Sequence, residues 1–144
     1  MANPPDRGSD PSRQLDASVN AHRGIFVPGD YYSSNAGLGV HWSANRRVAE
    51  EMGSYAWQQK NKEMGAHPKD KIVIYNAEIP SSSVETDVEV LKKNKVLSPE
   101  DLSKNKEEEI PVKKGGKVRL KSTSTSTQKR TRTRTYNPPR EVPA

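Results

Sequence analysis

A chain of 144 residues with only 31% hydrophobic and 6% aromatic side chains has the apolar material for one small domain and no more. It holds no cysteine, which excludes disulfides, thiolate metal sites and a cysteine nucleophile, and no apolar run nears the roughly 20 residues of a membrane-spanning helix. The formal charge of +6 sits at one end: Lys121, Lys129, Arg130, Arg132, Arg134 and Arg140 against Glu141 give the C-terminal tract +5, so the rest of the chain is close to neutral.

Residues 1–20 are rich in Pro, Asp, Ser and Asn, lack apolar periodicity, and read as a disordered N-terminal arm without a secretory signal. HRGIFVPG places Ile25, Phe26 and Val27 on a strand stopped by Pro28-Gly29, and a loop with Tyr31 and Tyr32 follows. In GLGVHWSAN, Leu38, Val40 and Trp42 alternate with His41 and Ser43, the pattern of a half-buried strand ending near Ser43. From Ala44 to about Gln59 the period becomes helical through Val48, Ala49, Met52, Tyr55 and Ala56, with Ser43 or Asn45 as the cap and Gly53 as a weak point.

KIVIYNAEIP is the clearest strand, a β-branched and aromatic run closed by Pro80. Residues 84–103 give no firm element beyond a short helix starting at Ser98-Pro99. EEEIPVKKGGKVRL reads as a closing hairpin, Glu108 to Val112 and Lys117 to Leu120, around Gly115-Gly116. The remaining KSTSTSTQKRTRTRTYNPPREVPA is a low-complexity tract, so residues 122–144 are expected to be a disordered basic tail. The fold expected over residues 21–121 is therefore α+β, a mixed fold of short strands with one principal helix between two disordered arms.

The glutamate run carries the chemistry. On a strand the period of two puts Glu107 and Glu109 on one face and Glu108, Ile110 and Val112 on the other. Two neighbouring carboxylates repel, which raises the proton affinity of one and suits a division of labour; a solvated charge run is the alternative. Gly37-Leu38-Gly39 lacks the third glycine of a dinucleotide fingerprint, and His22, His41 and His67 have no metal-ligand spacing, so no metal is expected.

His22-Arg23-Gly24 on a first strand, His41-Trp42-Ser43 before a helix, and Glu107-x-Glu109-Ile110 opening a late strand, in that order, resemble the arginine class of the ADP-ribosyltransferase family, in the compact form found in phage genomes. The resemblance spans roughly residues 21–122. It implies an ADP-ribosyltransferase-like fold and NAD as substrate, with nicotinamide released and ADP-ribose passed to a protein, of which arginine is the suggested side chain.

On that resemblance Glu109 and Glu107 are catalytic: Glu109 on the reacting ribose, Glu107 on the acceptor. Arg23, Gly24, His41, Trp42 and Ser43 bind the cofactor, with Arg23 on the diphosphate, His41 on the adenosine-side ribose and Ser43 holding Glu109. A surface arginine, a packed strand histidine and a plain helix cap are the structural readings of those last three. Tyr31, Tyr32, Tyr55 and Trp57 are candidates for an aromatic surface under nicotinamide.

A soluble monomer, in a host cytoplasm or on a virion if phage-encoded, is the expected setting. Two other readings stand beside the transferase. One is a non-enzymatic virion or nucleic-acid accessory protein contacting nucleic acid non-specifically through residues 121–144; the other is an RNA 2′-phosphotransferase-like enzyme, which relies on histidine and arginine more than on paired glutamates.

Overall fold

Lys71–Pro80 (β3), a strand as its β-branched sequence predicts, is one of the two central strands of the sheet, in a computed structural model that describes residues 17–29, 38–93 and 108–144. Around it lie Ser18–Val27 (β1), His41–Ser43 (β2), Glu109–Pro111 (β4), Lys117–Ser126 (β5) and Thr131–Pro143 (β6). They form one six-stranded sheet in the order β4-β2-β1-β3-β5-β6, with every neighbouring pair antiparallel. The principal helix, Arg46–Met64 (α1), lies on one face; a 3-10 turn at Ser81–Ser83 and the short helix Val88–Lys93 (α2) follow β3.

Helix α1 begins at the Asn45 cap, whose side chain accepts from the Arg47 N–H, and runs five residues past the expected end. Its buried positions are Ala49 and Gly53, with Tyr55 exposed, so the face that meets the sheet is turned from the one expected. Two glycines set this contact. A Cβ on Gly24 would stand 1.9 Å from the Ala49 carbonyl oxygen, so there backbone lies on backbone, and one on Gly53 would stand 2.6 Å from Ile72 Cγ2, so there the Ile72 side chain fills the place of the missing one. Farther along, Phe26 stacks on Trp57 at 5.9 Å, which makes Trp57 a packing residue.

The larger core is on the opposite face, where Ala21, Trp42, Ala77, Ile79, Val112, Val118 and Leu120 are buried together with Ala144. The sheet closes over this cluster by bending its last two strands. Between Leu120 and Ser122 the β6 partner jumps from Arg140 to Thr135, leaving Tyr136, Asn137, Pro138 and Pro139 opposite Lys121 alone. The end of β6 then meets the far side of the sheet, where the Leu38 N–H bonds the Pro143 carbonyl at 3.4 Å and Ala144 exchanges bonds with Gly115 and Gly116.

Three expectations are corrected. Residues 122–144 are not a disordered tail: they complete β5 and form all of β6, because Ser and Thr, although polar, pair across the strands through hydroxyls, Ser126 with Thr131 at 2.9 Å and Ser124 with Thr133 at 3.3 Å. The expected closing hairpin is absent. β4 pairs with β2 and lies four places from β5, since the Val112 N–H is taken by the Val40 carbonyl and the Lys113 N–H by Ser83. β1 starts at Ser18, so the last residues of the expected N-terminal arm belong to the sheet.

A latch outside the main core ties α1 to both central strands. Asp70, with no exposed surface, accepts from the N–H groups of Gly29 (2.7 Å) and His67 (2.9 Å) and from the Lys60 ammonium (3.1 Å). Burial alone would raise its pKa, but the two backbone N–H groups and the Lys60 charge outweigh that and hold it below the usual carboxylate value. No helix among the described residues is long and apolar enough to cross a membrane.

Candidate active site

One row of side chains crosses the whole sheet on the α1 face. Successive registers align Glu109 of β4 with Ser43, Ser43 with His22, His22 with Asn76, Asn76 with Ser122, and Ser122 with Thr135. Such a row is unusual under a helix, where apolar contact is the norm, and its first three members line a cavity of about 500 Å³ with His41, Val48, Ala49 and Met52. One wall is thus polar and comes from three strands. The other is the apolar side of the first half of α1, with Met52 half exposed.

Glu109 is the most enclosed acid of this wall, its side chain only 10% exposed. His41 Nδ1 lies 2.7 Å from its Oε2, an arrangement that fixes the carboxylate from the cavity rim. Ser43, opposite Glu109 in the ladder, accepts the Asn45 N–H at 3.0 Å and so also shapes the start of α1. Both structural duties of this serine come from its position at the strand–helix junction.

Glu108 is the hinge of the site. Its φ of +48° is left-handed, its carbonyl accepts the Ala44 N–H, and its carboxylate accepts from Asn45 Nδ2 at 2.9 Å. It therefore clamps β4 to the head of α1 and is exposed. The alternation expected to align Glu107 with Glu109 requires an extended Glu108, and Glu108 is left-handed. Glu107 itself lies outside the described residues, as do Tyr31 and Tyr32. Ile110 and Val112 do face the core, opposite to Glu109, as the period of two predicts.

Arg23 and Trp42 also border the cavity, but the strand alternation turns their side chains to the other face. The strand registers set them side by side next to Tyr75, and Trp42, 2% exposed, is a core residue whose indole N–H donates to the Gly39 carbonyl at 3.0 Å. Arg23 Nη1 donates to the His41 carbonyl at 2.6 Å, its Nη2 lies against Gly39, and its Nε is buried with no partner. Burial lowers its pKa, an effect opposed by Tyr75 and Glu109. Arg23 as placed braces β2 behind the cavity. Gly24 lines the cavity, but its missing side chain makes room for the Ala49 carbonyl.

The sequence reading passed over His22 as a site residue. Asn76 Nδ2 donates to Ser122 Oγ at 3.0 Å, so Asn76 Oδ1 accepts, and the His22 Nδ1 that lies 2.7 Å from it carries the hydrogen. In the neutral ring this leaves Nε2 as the acceptor. His22 opens the His22-Arg23-Gly24 motif, and its pairing with Asn76 becomes visible only once the strand register is known. Among the described residues no three His, Asp or Glu side chains gather as a metal ion would require.

No protein-family model matches this chain, and no curated protein or solved structure matches it either.

Proposed function

We propose that the cavity takes NAD as substrate and that the chain is a mono-ADP-ribosyltransferase acting on a protein side chain, arginine being the acceptor class that the Glu-x-Glu resemblance implies. The observation that carries this reading is the enclosed Glu109 carboxylate, held by His41 in the wall of a cavity of sufficient size for a nucleotide. The glycosidic bond to nicotinamide breaks with its electron pair leaving on nicotinamide, and positive charge develops on the ribose, as in glycoside hydrolysis. A fixed carboxylate attracts that charge more strongly as it grows, which is stabilisation specific to the transition state.

His41 is then a positioning residue for Glu109, and Arg23 a positioning residue for His41 through its carbonyl. The acceptor nitrogen forms the new bond to the ribose carbon and loses a proton. His22, with Nδ1 committed to Asn76 and Nε2 left as acceptor, is the described cavity residue suited to take it. The apolar wall of Val48, Ala49 and Met52 is the surface for nicotinamide.

The test is incubation of the full chain with NAD and cell lysate, reading free nicotinamide by chromatography and modified proteins by mass spectrometry. Nicotinamide release with ADP-ribose on a defined side chain is expected. No release, or release strictly dependent on a 2′-phosphorylated RNA, overturns the reading, the second outcome in favour of a phosphotransferase.

A further inference from the structure

The arginines of β6 form an ordered, one-sided row. Arg132 lies opposite Thr125, and Arg134 opposite Thr123, which is itself opposite Tyr75; this puts both on the sheet face turned away from α1. Thr131, Thr133 and Thr135 fall on the other side and pair with Ser126, Ser124 and Ser122. The Arg134 guanidinium stands 5.0 Å over the Tyr136 ring, which continues the row. Arg132 and Arg134 are exposed, and among the described residues neither has a carboxylate partner, whereas Arg46, Lys60, Lys92, Lys117 and Arg119 each do. The one acid of the tract, Glu141, is already bound by Lys117 at 3.5 Å.

Charge on an edge strand has a simpler use, the prevention of edge-to-edge sheet pairing. One or two charges suffice for that, and they need not be regular. Here the two arginines are alternate residues of a strand, so their backbone positions are about 7 Å apart, close to the separation of successive phosphates along an extended strand. Each fork can bind a phosphate through two N–H groups, and the Tyr136 ring, packed against the core, holds the Arg134 fork in place. We propose that the Arg132-Arg134 row of β6, with Tyr136 as the support under Arg134, is a docking surface for single-stranded nucleic acid, bound through its phosphates with little preference for sequence. The surface is separate from the cavity and does not depend on its chemistry.

Fluorescence anisotropy of the full chain with labelled oligothymidylate, the corresponding duplex, and phosphatidylserine vesicles tests this. The single strand is expected to bind best, with affinity falling as salt rises. Replacing both arginines (Arg132→Gln with Arg134→Gln) should weaken binding on the order of tenfold near 0.1 M salt and reduce the log–log salt slope by about 1.4, roughly 0.7 per lost phosphate contact. The double lysine variant, Arg132→Lys with Arg134→Lys, should restore most of the slope. Lys62→Gln with Lys92→Gln, on the helices, should change neither quantity. Absence of oligothymidylate binding, an unchanged double glutamine variant, or tighter binding of duplex or vesicles overturns the proposal; a variant that only aggregates more, with binding intact, assigns the arginines to edge protection.

Discussion

Strands β2 and β4, at one end of the sheet, have three residues each, whereas β5 and β6, at the other, have ten and thirteen. The short pair cannot be held by its ladder alone. It is fixed by what surrounds it: buried Trp42 below, the Arg23 brace on the His41 carbonyl, and the Glu108 clamp on Ala44 and Asn45. The long pair is held by many backbone bonds and hydroxyl contacts and needs few special side chains. Geometry at the short end therefore depends on single residues, which suits chemistry, while the long end tolerates substitution on its outer face, which suits a binding surface.

The largest effect that sharpens this contrast is expected from Glu109→Gln. It should lower nicotinamide release by about 10²–10³-fold, the scale of losing a preorganised electrostatic group, with thermal stability nearly unchanged. Full turnover in this variant would remove the short end as a catalytic site. Gly24→Ala comes next, and its effect is on folding. Its Cβ would meet the Ala49 carbonyl oxygen at 1.9 Å, so α1 must lift from the sheet at a cost of about 3 kcal/mol in chemical denaturation. Gly65→Ala separates strain from contact: nothing lies within 4 Å, but φ +77° with ψ 168° is a conformation essentially reserved to glycine, so the cost, about 2 kcal/mol, is backbone strain alone.

Asp70 gives a pH test of the latch between α1 and the two central strands. Its folded-state pKa is held below the unfolded value, so its contribution is fully present above the unfolded carboxylate range and is lost as pH falls through the depressed folded value. Thermal midpoints of the parent chain should fall in acid, and Asp70→Asn should lower the midpoint at neutral pH and flatten the acid limb. An acid limb of unchanged steepness in Asp70→Asn would assign that limb to other carboxylates.

The same contrast explains what could be read from the sequence. At the short end the apolar members identified the faces: Ile110 and Val112 point to the core, so Glu109 is correctly on the cavity face. At the long end there is no apolar alternation to read after Leu120, and a stretch of Ser, Thr and Arg looked unstructured. Its order comes from partners distant in sequence, Ile72 to Asn76 on one side of β5 and the returning β6 on the other. Gly115-Gly116 marked a real turn, but nothing local shows that the strands on its two sides join opposite ends of the sheet. The left-handed Glu108 was equally hidden, since Gly or Asn is the usual marker of that conformation.

Glu108 supplies the smallest expected effect and the finest test of the site. Glu108→Gly removes a left-handed strain of about 1 kcal/mol and also the Asn45 bond, worth about as much, so stability should change by less than about 1 kcal/mol. Turnover should stay within about twofold of the parent, because the Glu108 carbonyl bond to the Ala44 N–H survives and keeps Glu109 opposite Ser43. Glu108→Val keeps the carbonyl but places a β-branched residue at φ +48°, and should cost about 2 kcal/mol. Loss of turnover in the glycine variant, with Glu109→Gln still active, would move the catalytic carboxylate by one residue and so reverse which face of β4 looks into the cavity.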